Sequence, residues 1–174
     1  MTDPATLPIL FVPDARLRNK AKPVAPGDAR IGALAQQMLA TMYKAPGIGL
    51  AAPQVGEMLR LVVVDIHPED KPEPMVLVNP EIIATSRELM TREEGCLSLP
   101  GQFADVTRPA MVKVRWHDLA GARHEREAEG LLSACLQHEI DHLDGVLFVD
   151  HLSALKRNML LRKLAKELRA KKEE

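Results

Sequence analysis

Long apolar runs are missing from this 174-residue chain, and so are a basic leader and any internal repeat. Its one early apolar stretch, LPILFV, is short and interrupted by prolines, so neither a signal peptide nor a membrane-spanning helix is expected. Charge of one sign is missing too. With 23 Lys and Arg against 24 Asp and Glu, the bulk balance carries no signature of a nucleic-acid or membrane partner. Cysteine is scarce: there are two, Cys96 and Cys135, and in a chain without an export signal they are expected as thiols rather than as a disulfide. A cytoplasmic protein is expected, and any electrostatic partner must be met by a local patch.

At 46% hydrophobic residues the chain is able to bury a core without disulfide or metal staples, and a single domain over 1–174 is expected. Residues 28–44 carry Ile31, Leu34, Ala35, Met38 and Met42 at helical spacing behind a capping Asp28. The β-branched runs at 59–66 and 75–80 read as buried strands, and 111–118 with 122–129 as a hairpin. A second helix spans 130–143, stopped by Gly145, and Ser153 opens a third that runs to about 172. Helices and strands do not alternate regularly. The expected class is therefore α+β, mostly antiparallel strands packed around a central metal-binding helix, with an N-terminal helix and a C-terminal helix.

One glycine motif is a decoy. GIGLAA at 47–52 has the spacing of a dinucleotide-binding turn, and Asp65 lies 18 residues past Gly47. That turn needs a strand before it and a helix opening from it. Here a helix precedes it, and Pro53 and Gly56 break up the few residues before the next strand, so no nucleotide site is expected.

HEIDH at 138–142 is an H-E-x-x-H segment within the second predicted helix. Residues i and i+4 share a face there, so two imidazoles are able to grip one ion with Glu139 beside it. A catalytic metal usually takes a third protein ligand and keeps one position open. Cys135 shares the helix, but it is seven residues from His142, about 10 Å along the axis at 1.5 Å per residue, too far for a short thiol. Cys96, in EGCLSLP on a separate and extended segment, is able to approach from the side and complete a tetrahedron. The expected ligands are Cys96, His138 and His142, with Cys135 a small buried hydrophobe. His67, His117, His124 and His151 lack helical partners and are expected in surface or structural roles.

Three segments, GIGLAAPQ (47–54), EGCLS (94–98) and QHEIDHLDG (137–145), stand in an order and spacing that resembles the signature motifs of the peptide deformylases. An early ILFVPDARLR stretch and the C-terminal helix resemble the bacterial group of that family that carries such a helix. The resemblance implies hydrolysis of the N-formyl group of nascent polypeptides that begin with formylmethionine, with release of formate. It implies one divalent ion, typically Fe(II), with Zn(II), Ni(II) or Co(II) able to substitute. It implies that the ion activates a water for attack on the formyl carbon while Glu139 takes the proton and passes it to the leaving amine. Gln54, through its side-chain amide, and Leu97, through its backbone N–H, match the family's oxyanion donors.

Ile48, Gly49, Leu131 and Cys135 match positions that meet the substrate, with a thiol and branched aliphatics suited to a methionine thioether. Gly47 and Gly49 are expected to let a backbone approach the substrate, and Glu94 to orient its neighbours. Phe103 stands where the best-known enterobacterial pattern has arginine, so contacts beyond the first substrate residue do not carry over. For the basic C-terminal helix the resemblance suggests docking on the ribosome, against the plainer reading of a solvated amphipathic helix packing through Leu161, Leu164 and Leu168. A monomer is expected. Two rivals share parts of the pattern: a general metallopeptidase, and a non-enzymatic module stabilised by its metal.

Overall fold

A computed structural model describes residues 3–25 and 27–173. Its elements run α1 (Ala29–Lys44), β1 (Gly49–Ala51), β2 (Leu61–Val64), β3 (Met75–Thr85), β4 (Leu89–Cys96), β5 (Leu99–Pro109), β6 (Met111–His117), β7 (Arg123–Glu129), α2 (Gly130–Leu143) and α3 (Ala154–Lys172). Short 3₁₀ turns fall between them, among them Ala52–Val55 and Phe148–His151. Five strands form one antiparallel sheet in the order β1-β2-β3-β6-β7, and β4 with β5 forms a separate hairpin. Among the described residues no helix is long and apolar enough to cross a membrane.

The period-2 pleat explains the layers. Val62 and Val64 point to one face of β2, where Leu77, Val112, Val114 and Ala128 meet Leu132, Leu136, Ile140 and Leu143 of α2. Leu61 and Val63 point to the other, against Ile31, Ala35, Met38 and Met42 of α1. Helix α2 is thus held between the large sheet and the β4-β5 hairpin, and α1 covers the sheet's opposite side. Each fully buried Leu or Val in these layers contributes about 1.5–3 kcal/mol. A third cluster, Leu99, Val106, Leu147, Phe148, Val149 and Leu164, fastens α3 to the hairpin, and Leu161 and Leu168 pack at its margin.

The α+β reading holds, and Asp28 and Ser153 cap α1 and α3 through their side chains. Strand boundaries moved, with β2 ending at Val64 rather than reaching Ile66 and each strand of the β6-β7 hairpin shorter by one residue. Leu59 and Arg60 leave the sheet because they pair with Lys22, so β2 begins at Leu61. Strand β3 continues to Thr85 past a register shift at Asn79, a residue held at φ 50° whose side-chain amide bonds the backbone of Val24. GIGLAA ends in a strand and a 3₁₀ turn rather than a turn into a long helix, as expected. Asp65 is buried and accepts bonds from the Tyr43 hydroxyl and the backbone of His67 and Glu73, a structural use.

Candidate active site and metal centre

The β4-β5 hairpin turns at Leu97 and Ser98. Gly95 pairs with Phe103 but Cys96 pairs with Leu99, so residues 100–102 bulge out and the turn presses Cys96 toward α2. Helix α2 supplies His138 and His142 one turn apart, their ring centroids 5.1 Å from each other. The helix is ended firmly. Gly145 sits at φ 75° against the Arg18 carbonyl, and the Arg60 guanidinium donates to the Leu143 carbonyl at 3.1 Å. One ligating atom each from Cys96, His138 and His142 lies within 4.8 Å of the others, and Cys96 Sγ is 3.3 Å from His142 Nε2.

These donors fit a metal ion. Bonds of about 2.0–2.3 Å to the corners of a tetrahedron set ligand atoms roughly 3.3–3.6 Å apart, which the cluster reaches with small shifts. His138 Nδ1 donates to Glu94 Oε1 at 2.9 Å, leaving Nε2 for coordination. Burial pushes the His142 pKa well below its usual value, and repulsion from His138 adds to this. Burial works against protonation of His138 too, but Glu139, Cys96 and Glu94 outweigh it and raise its pKa. Burial holds the Cys135 thiol protonated, which suits a wall better than a ligand.

Glu139 is 5% exposed, and burial lifts its carboxyl to about 7 against the opposing charge of His138. Its Oε1 and His142 Nδ1 are buried without a hydrogen-bond partner among the described residues. Gln54 is 1% exposed. Its Oε1 accepts from Ala51 N–H at 2.9 Å, and since that N–H only donates, the amide is oriented. Nε2 therefore points to Ser98 Oγ at 3.1 Å and Cys96 Sγ at 3.5 Å. The local backbone bond and the site-facing donor coexist in one side chain.

Gln54, Glu94, Cys96, His138 and Glu139 face a cavity of about 820 Å³, to which Ile48, Gly49, Leu97, Leu131, Cys135 and Phe103 also contribute. Ile48 and Leu131 sit at the rim, 40% and 38% exposed, while Cys135 is buried within. Space at the two glycines is short. A Cβ on Gly47 would lie 2.8 Å from Leu97 Cδ1, and one on Gly49 would lie 2.9 Å from Cys135 Sγ and closer still to the Glu139 carboxylate. The protein's own side chains take that space.

Sequence reasoning missed Arg108, which lies on β5 and is 4% exposed. Its Nε and Nη2 clamp both oxygens of Glu94, at 2.6 and 2.9 Å, and its Nη1 reaches Asp141 at 2.9 Å. A lone arginine in TRPA carries no motif that would mark it. Thr6, Leu7, Ile9 and Phe11 of the N-terminal segment were missed as well. They line the cavity because Leu10 and Val12 bond the backbone of Gln54 and Ser98.

The polypeptide deformylase family model matches residues 6–158. A peptide deformylase of Mesorhizobium japonicum is 54% identical over 160 residues, 91% of each chain. One from Zymomonas mobilis is 53% identical over 168 residues, covering 94% of this chain and 95% of that one. Among solved structures, a peptide deformylase from Legionella pneumophila superposes with a TM-score of 0.91 at 50% identity, covering 98% and 99% of the two chains. One from Ehrlichia chaffeensis in complex with actinonin gives 0.89 at 38% identity over 94% and 98%. With sequence and fold matched over most of its length, the chain belongs to the polypeptide deformylases, metal-dependent enzymes that remove the N-formyl group from peptides beginning with formylmethionine.

Proposed function

We propose that Cys96, His138 and His142 hold one divalent ion, Fe(II) in the native enzyme with Zn(II), Ni(II) or Co(II) able to replace it, and that Glu139 carries the proton in deformylation. One observation carries the reading: the three donors converge, with Cys96 and His138 at the cavity wall, beside a buried carboxyl whose pKa is lifted to about 7. Bound there, the ion supplies a Lewis acid that acidifies water and polarises a carbonyl. Glu139 accepts the proton of the attacking water and returns it to the leaving amine, a two-way role suited to a pKa near the working pH. Gln54 Nε2 and the Leu97 N–H donate to the oxygen of the formyl group as negative charge gathers on it. Ile48, Leu131 and Cys135 wall the methionine side chain, with Gly49 keeping the strand close to Glu139.

The scheme requires no group from a second copy, and we propose a monomer with residues 1–174 acting as one catalytic domain. Formylated nascent chains as substrate support a cytoplasmic setting. Formate release from a formylmethionyl tripeptide by anaerobic, Fe(II)-loaded protein tests the whole reading. Absence of formate from the wild type would refute it. Glu139→Gln is expected to lower turnover at least about 10²-fold with the metal retained. Actinonin, present in the Ehrlichia chaffeensis structure, is expected to compete with the peptide for the cavity.

A second reading concerns α3. Arg162, Lys163, Lys166, Arg169, Lys171 and Lys172 are exposed along it, and its one acid, Glu167, accepts a bond from Gln102 at 2.8 Å. We propose that this basic surface docks on ribosomal RNA. Truncation would remove the buried Leu164, so charge reversal at Lys163, Lys166 and Arg169 is the cleaner perturbation. The reversed protein is expected to leave ribosome pellets at lower salt, because each phosphate contact adds about 0.7–0.9 to the salt slope. An unchanged salt profile refutes the docking.

A further inference from the structure

Two histidines of the chain, His138 and His151, meet one buried ionic group from opposite ends. Arg108 holds Glu94 with two of its nitrogens and Asp141 with the third. Asp141 Oδ2, which receives that third bond, is also 2.8 Å from His151 Nε2. An ionised carboxylate only accepts, so His151 carries its proton on Nε2 and donates it to Asp141. The 3.4 Å approach of Arg108 Nη1 to His151 Nε2 is then a contact between two donors gathered on one oxygen. A continuous path runs inward: His151, Asp141, Arg108, Glu94, His138.

The 3₁₀ turn Phe148–His151 meets that path at both ends. Phe148 is buried and stacks on the His138 ring at 6.1 Å, while His151 closes on Asp141 three residues later. The turn is itself fastened: Asp150 Oδ2 accepts from Leu147 N–H at 2.9 Å and from Arg18 at 2.5 Å. Glu94 sits between Arg108 and His138, so any freedom in the guanidinium passes to the imidazole that Glu94 orients. Removal of the His151 donor leaves Asp141 with one partner fewer and Arg108 with a looser one.

We infer that His151 is a positioning residue for the metal centre, acting through Asp141 and Arg108 to hold Glu94 and thereby His138. The inference rests on the metal site proposed above. A ligand held by a fixed partner loses less freedom on coordination, and supports of this kind are worth roughly 10–100-fold in metal affinity when they touch the ligand itself. His151 stands further out, and about three- to tenfold is expected.

The test uses the full chain loaded with Co(II), reading affinity by chelator competition and geometry by the visible absorption and thiolate charge-transfer bands. His151→Phe keeps a ring but not the donor, and is expected to weaken Co(II) binding about three- to tenfold and to alter the visible band. His151→Gln places an amide N–H near the Nε2 position and is expected to restore both. Asp141→Asn is expected to weaken binding at least as much as His151→Phe, with the double variant no worse than Asp141→Asn alone, as for residues acting in series. Wild-type affinity and spectrum in His151→Phe overturn the inference while leaving the deformylase reading intact. An equal loss in His151→Gln, or additive losses in the double variant, overturn it in favour of simple packing. Failure of the wild type to bind Co(II) with a thiolate band overturns the metal site and this inference together.

Discussion

Acid sensitivity offers the sharpest quantitative test of the buried ionic group. Glu94 is 8% exposed, and its carboxyl is lowered from 4.5 to about 2, since its bonds to Arg108 and His138 outweigh the opposing cost of burial. A depressed folded-state pKa contributes stability that is complete above the unfolded value and is lost as the pH falls through the folded one. For Glu94 the window runs from about 5 down to about 2, and a difference of some 2.5 units corresponds to about 3 kcal/mol. Glu94→Gln removes that titration. At pH 7 the variant also leaves the Arg108 guanidinium short of a partner in a buried place, a loss of about 3–5 kcal/mol. Urea unfolding of wild type and variant, both with chelator present so that metal release does not enter, would be followed from pH 7 to pH 2.5. The gap between the two stabilities is expected to narrow by about 3 kcal/mol on the acid side. A gap that stays constant over that range shows that Glu94 is not held ionised by Arg108 and refutes the reasoning.

Three further outcomes separate the site's parts. Cys96→Ala is expected to lose the stoichiometric metal by elemental analysis, whereas Cys135→Ala should keep it and show mainly a raised KM for formylmethionyl peptides; metal loss from the second variant would return Cys135 to the ligand set. Gly49→Ala forces a Cβ against Cys135 Sγ and the Glu139 carboxylate, so a destabilisation of about 1–3 kcal/mol and a larger loss in kcat than in metal content are expected from melting and steady-state assays. Gln54→Ala is expected to lower kcat about 10²-fold with metal bound, while an unchanged kcat removes Gln54 from the oxyanion donors.

Legibility tracked distance along the chain. The i, i+4 histidines, the amphipathic face of α1 and the capping residues Asp28 and Ser153 are local patterns, and the structure has them where the spacing predicts. The β4-β5 hairpin was not legible. Its first strand reads LMTREEGC, half of its residues exposed, and no apolar alternation marks a strand that lies outside the main sheet. Arg108 was silent for a related reason: its partners Glu94 and Asp141 are 14 and 33 residues away, and nothing local announces a buried cation. The crowding of Gly49 was silent as well, because it comes from a helix more than 80 residues further on.

The amino-acid order by itself determined the class of fold, the two imidazoles and one carboxylate on a single helix, and the choice of Cys96 over Cys135, because helical rise forbids the nearer thiol. Three separated motifs also carried the family resemblance. Tertiary structure alone decided how the hairpin delivers Cys96 beside His142, how Ala51 orients the Gln54 amide, and how Arg108 ties Glu94 to Asp141 and His151. The division is physical. Periodicity records how each element faces the core, whereas a buried charge network depends on elements meeting, and its cost and its benefit exist only once water has been excluded.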